Sequence, residues 1–256
     1  MASYFIYDSI NQYRSDNTVS EGQMTDSATP TFSASDTLTS HERSSDQNIG
    51  TIISGIADRD AIEYAVGSSV TANAAAVYFT GDDNVSSGTI MNFFVDTDRA
   101  SLPNKGTITA VSAAGWATTD LTETTGTKFF VEFTGAVTNV SEVLIGSKLS
   151  FEVEPDVNIQ SSIDYENSIQ RSLGGVEYAL NVNPGQEVTT IGFQNISSTF
   201  KTNLTTMQDA LKGEAKKFVW YDGTSFHWVR LDKPMTFTEI ADGRFSTQLV
   251  LRQQIQ

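Results

Sequence analysis

The side chains of this chain that could do chemistry are carboxylates in short runs, one tryptophan beside small residues, and two histidines. Gly81-Asp82-Asp83-Asn84 and Asp96-Thr97-Asp98 offer the hard oxygen ligands that Ca²⁺ takes, so Asp82, Asp83, Asp96 and Asp98 are the candidate metal ligands. Neither run has the spacing of an EF-hand loop, and Asp and Asn serve tight turns equally well. Glu152 and Glu154, with Asp156 beyond them, alternate along the sequence. On a strand they would share a face and could converge as an acid/base pair for glycoside hydrolysis. Acidic strands present the same pattern to solvent, and no motif accompanies this one. Trp116 follows Ala113-Ala114-Gly115, which suits a loop, and is the candidate glycan contact, with Tyr78 and Phe79 as further stacking faces. Core packing uses the same rings.

Catalytic constellations are missing at the level of motif. His41 and His227 lie far apart, and no Gly-x-Ser-x-Gly elbow presents a nucleophile. There is no P-loop, no Gly-x-Gly-x-x-Gly after a strand and no His-Glu-x-x-His. No catalytic residue and no cofactor is assigned, and the chain is read as a non-enzyme. Its 256 residues carry 16 basic and 31 acidic side chains, a net charge of −15. Nucleic-acid affinity comes from neutralising phosphates, and anionic bilayers repel acidic surfaces, so neither partner is expected. With no cysteine, disulfides and thiolate sites are excluded. No basic n-region with an apolar h-region opens the chain, and no apolar run approaches the roughly 20 residues of a membrane span. Synthesis in a cytoplasm is expected, with exit by assembly or lysis.

The elements that must hold these residues are mainly strands. Thr, Val and Phe are frequent, and Gly, Asn and Asp punctuate the runs. Residues 1–49, beyond Tyr4-Phe5-Ile6-Tyr7, are polar and read as an arm that orders against a neighbour. Residues 50–155 read as a jelly-roll-like β-sandwich, with strands at 74–79, 89–95, 107–111, 128–133, 139–145 and 149–153. Residues 156–170 read as a polar junction. Residues 171–256 read as an antiparallel β domain with one packed helix at about 198–212. There Phe200, Leu204, Met207 and Leu211 form a stripe, Ser197 or Ser198 can cap and Gly213 can terminate. Asp222-Gly223 and Asp242-Gly243 read as hairpin turns, and Trp220 and Trp228 as core or subunit contacts.

Two stretches carry a resemblance. Val143-Leu144-Ile145-Gly146-Ser147-Lys148-Leu149-Ser150-Phe151-Glu152 closes the first half, and Arg171-Ser172-Leu173-Gly174-Gly175-Val176-Glu177-Tyr178 opens the second. With Lys217-Phe218-Val219-Trp220-Tyr221-Asp222 and Phe226-His227-Trp228-Val229, their order resembles bacteriophage tail proteins that join a galactose-binding-like (discoidin-type) sandwich to a smaller β domain. The resemblance covers about residues 50 to 252. It implies a virion tail or tail-tip component, similar to a distal tail protein or baseplate adaptor, whose partners are other tail proteins and copies of itself in a ring. It also implies a structural calcium near the loops named above. A host-glycan-binding module of the virion is the second expectation and a glycan depolymerase the third.

Overall fold

The doublets Phe93-Phe94 and Phe129-Phe130 set a demand that one sheet face cannot meet. Neighbouring residues of a strand point to opposite faces, so each doublet needs apolar cover on both sides. The computed structural model shows how the chain supplies it. The structure describes residues 3–8, 18–25, 30–34, 44, 52–53, 56–81, 90–96, 102–110, 113–136, 140–156, 159–165, 167–171, 177–181 and 185–254. In chain order the strands are β1 (Tyr4–Tyr7), β2 (Thr18–Met24), β3 (Phe32–Ala34), β4 (Asp60–Phe79), β5 (Ile90–Asp96), β6 (Asn104–Thr109), β7 (Gly115–Thr134) and β8 (Val140–Ser150). Then come β9 (Gln160–Asp164), β10 (Asn167–Arg171), β11 (Glu177–Asn181), β12 (Gln186–Ser197), helix α1 (Ser198–Ala210), β13 (Lys217–Tyr221), β14 (Phe226–Leu231), β15 (Thr236–Ala241) and β16 (Arg244–Gln253). The protein is mainly β and antiparallel, with one helix among the described residues.

Two compact units form. The first comprises Tyr4–Ser150 and Phe218–Phe226, the second Met1–Ser3, Phe151–Lys217 and His227–Gln256. In the first unit the strand order runs β13-β1-β8-β4-β7-β5-β6, with β2 on β4 and β3 on β2. Strands β4 and β7 are each 20 residues long; β4 is buried at both ends and more exposed in the middle, whereas β7 is buried mainly towards its C-terminal end. Their register shifts between Ala65 and Val70 and again between Ala72 and Ala74. Such bulges bend a strand, so one half of β4 pairs with β2 and the other with β8. Phe93, Phe129, Val131 and Phe133 join the large core with Val77, Phe79, Val143 and Ile145. Phe94 and Phe130 point to a second cluster with Met24, Phe32 and Leu102. The Phe32 and Phe130 rings lie 5.3 Å apart. Burial of each such ring is worth roughly 1.5–3 kcal/mol.

Within residues 1–49, read as an arm that orders against a neighbour, the described residues include three strands. Strands β2 and β3 cover the second face of their own sheet, and β1 pairs β8 on one side and β13 on the other. Tyr4-Phe5-Ile6-Tyr7 is an inserted strand. Phe5 meets Phe218 edge-on at 5.2 Å, so a segment from late in the chain completes the first unit.

The second unit has the order β14-β16-β12-β9, with β15 on β16. Helix α1 packs by Phe200, Leu204 and Met207. Ser197 is its N-cap, with Oγ accepting from the Phe200 N–H at 3.1 Å. Gly213 (φ 68°) closes it, its N–H donating to the Gln208 carbonyl at 2.9 Å. Phe193 joins helix to sheet, with Phe151 at 5.0 Å and Phe200 at 5.8 Å. Strands β10 and β11 pair with each other in a separate two-stranded ribbon. The segment 156–170, read as a junction, supplies β9 and the start of β10. It is polar because β9 is exposed on both faces, and a strand without a buried face has no alternation to reveal it.

Candidate functional site

Among the described residues the sequence candidates do not converge. Asp82, Asp83, Asp98 and His41 lie outside the described residues. Asp96 ends β5 opposite Lys128, and no group of three or more Asp, Glu or His side chains close enough to hold a metal occurs among the described residues. Trp116 is not in a loop. It lies in β7 opposite Tyr78 at 8% exposure, and the two rings meet edge-on at 5.3 Å. A ring so covered is a packing residue and offers little face to a sugar. Trp220 and Trp228 are likewise buried.

Glu152, Glu154 and Asp156 are not on a strand, because β8 stops at Ser150. Each has its own structural task. Glu152 accepts from Ser197 Oγ at 2.6 Å and lies 3.8 Å from Arg244. Glu154 accepts from Ser3 Oγ at 3.0 Å. The Asp156 N–H donates to the Gly192 carbonyl at 2.8 Å, and its carboxylate would lie 2.9 Å from a Cβ at Gly192. Glu152 thus braces the helix cap, and Asp156 lies over β12 where only a glycine leaves room.

The feature that sequence reasoning missed is the edge of the second unit. The strand order ends at β9, which pairs with β12 over five residues, from Gln160↔Thr190 to Asp164↔Gln186, with no bulge. All five β9 residues are exposed. Six large hydrophobic side chains are exposed among the described residues, and three of them lie here: Ile159 (47%), Ile163 (61%) and Tyr165 (51%). Ile163 and Tyr165 lie against Gly185, where an added Cβ would stand 2.6 Å from the tyrosine ring. A hollow of about 660 Å³ opens beside them, lined by Ser161, Ile163, Gln186, Glu187, Gln253 and Gln254.

The charges at this edge are already matched. Arg252 Nη2 donates to Asp164 at 2.9 Å and Nε to Asp232 at 2.6 Å. That hydrogen bond and charge hold the Asp232 carboxyl below its ordinary pKa and push the guanidinium further up. Ser161 Oγ donates to Glu187. Natural edge strands are guarded by Lys, Pro, bulges or shortness, and β9 has none of the first three. Other edges are blunted: β15 has a register shift, and β3 has three residues. Ile159 and Ile163, four residues apart in an otherwise polar run, were the only sequence signal for β9.

A second, polar depression lies on the solvent face of β12 and β16. It holds about 710 Å³ and is lined by Asp156, Gln160, Thr190, Gln194, Lys233 and Gln248.

No protein-family model matches the chain, and no curated protein does. Among solved structures it is similar to CpGH89CBM32-5 from Clostridium perfringens in complex with GalNAc-beta-1,3-galactose, at 12% identity and TM-score 0.37, over 54% of this chain and 99% of that one. It is similar to the family 32 CBM of C. perfringens NanJ in complex with galactose, at 14% identity and TM-score 0.38, over 56% and 98%. The CBM32 of AlyQ in complex with 4,5-unsaturated mannuronic acid gives 21% identity and TM-score 0.32, over 44% and 85%. Similarity at this level assigns no ligand, and the site has to be argued from its own residues.

Proposed function

We propose that this chain is a non-catalytic structural protein that builds an assembly through protein–protein contacts. Its finer place, in this proposal, is the tail or tail tip of a bacteriophage virion, with synthesis in the bacterial cytoplasm. The observation that carries the assembly reading is β9: a regular, unguarded edge strand flanked by three exposed apolar side chains. The ordered motifs quoted above motivate the virion. Light scattering on the purified protein after size exclusion is expected to give a discrete multimer. Gold-labelled antibody is expected to mark only the tails of particles, and label confined to the head, or absent, would remove the virion reading.

The polar depression favours a second reading, a glycan-binding module. Amide and hydroxyl groups of Gln160, Thr190, Gln194 and Gln248, beside Asp156, suit a hydroxyl-rich ligand. This reading rests on the groove rather than on the compared domains or on Trp116. Titration calorimetry with host-surface oligosaccharides is expected to give saturable heat that falls at least about tenfold in affinity on Gln248→Ala, about 1.4 kcal/mol or more. No heat with any of them would dismiss it. With Glu152 and Glu154 each held by its own serine, a hydrolytic pair has no geometric support.

A further inference from the structure

We infer that β9 is the contact between two copies of this chain, joined by antiparallel pairing about a two-fold axis at Ser162. The inference rests on the assembly reading and names its partner. The strand Gln160-Ser161-Ser162-Ile163-Asp164 is self-complementary in that register. Ser162 meets itself. Gln160, an amide donor, faces the Asp164 carboxylate of the other copy, twice by symmetry. Ser161 faces Ile163, and the two Ile163 side chains lie on one diagonal, within reach of each other. No like charges face, and Asp164 is already matched by Arg252.

The other edges fit less well. β15 brings Glu239 and Asp242 towards an edge that already holds Asp164 and Glu187, and β3 is too short to cover five residues. β6 packs closely on β7: a Cβ at Gly106 would lie 3.1 Å from the Asp120 carbonyl. A second β9 supplies equal length, matched polarity and two further exposed isoleucines, Ile159 and Ile163, to cover. Pairing also satisfies the outward backbone groups that β12 does not reach.

The chain contains no cysteine, so single cysteines report this contact cleanly. Opposed Cα atoms in an antiparallel pair lie roughly 4.5–5.5 Å apart, inside disulfide reach, whereas diagonal ones lie at about 7–8 Å. Under diamide, full-length Ser162→Cys is expected to form a disulfide-linked dimer at least about tenfold faster than Ser161→Cys, as the diagonal lies beyond disulfide reach. Ile163→Lys, which needs no oxidation and sits on an exposed face, is expected to shift the light-scattering mass downward. Equal cross-linking of both cysteines would overturn the register. A multimer that forms with no cross-link at either position, and with unchanged mass in Ile163→Lys, would place the contact elsewhere and leave the assembly reading standing. A monomer at every concentration, without cross-links, would overturn both.

Discussion

At the scale of single residues, the charges in this protein hold structure. Arg59 adopts a left-handed φ of 71° and places its guanidinium 2.7 Å from Glu132, which is 1% exposed and also accepts from Asn92 at 2.8 Å. Removing one partner of a buried pair strands the other charge. Arg59→Ala is expected to lose about 3 kcal/mol in urea unfolding. Arg59→Gly relaxes the backbone and should lose slightly less. Asp232 makes a pH-dependent contribution. Its carboxyl titrates below the ordinary value because Arg252 donates to it, so its folded pKa lies under its unfolded pKa. The stabilisation is complete above about pH 4 and fades as pH falls through the folded value. Asp232→Asn should therefore be less stable than the parent at neutral pH, with the gap narrowing in acid, as read from urea midpoints across pH. These pairs were not legible in the sequence, because Arg59 and Glu132 are 73 positions apart. Of the candidate ligands, Asp96 ends β5, and Asp82, Asp83 and Asp98 lie outside the described residues.

At the scale of elements, the legible parts were those with a periodic signal. The stripe Phe200, Leu204, Met207 and Leu211 gave α1 and its cap. Ser197→Ala is expected to cost about 1 kcal/mol through the cap, and more through the lost Glu152 contact, by thermal melting followed at a helix wavelength. Strands β4 and β7 were legible only in part. Their more exposed middles break the alternation, and β7 approaches the end of β5 closely at Gly126. A Cβ there would stand 2.6 Å from the Asp96 carbonyl, so Gly126→Ala is expected to lose about 1–3 kcal/mol. Gly185 has a parallel role at the edge. Gly185→Val should unseat Ile163 and Tyr165, leaving the fold intact by circular dichroism while weakening self-association in light scattering.

At the scale of the whole molecule, charge and edges oppose each other. Each copy carries −15, and copies repel at low ionic strength. The proposed contact is locally matched, so salt should screen the repulsion without breaking the pairing. Association is expected to strengthen from low to moderate salt, and a multimer that dissociates with added salt would argue for a contact made by ion pairs. Close to the isoelectric point of about 4.4 the repulsion vanishes, and non-specific association should set in, visible as polydisperse scattering.

The sequence by itself determined the fold class, the helix with its cap and the absence of thiol chemistry. These follow from composition and from short-range periodicity, which need no distant partner. Tertiary structure alone decided that β2 and β3 cover Phe94 and Phe130, and that β1 is flanked by β8 and β13. It also decided that Trp116 is a packing ring and that the polar segment after Asp156 forms an open strand edge. Those outcomes depend on which strands pair across long sequence separations, and a strand exposed on both faces carries no hydrophobic pattern to announce its pairing.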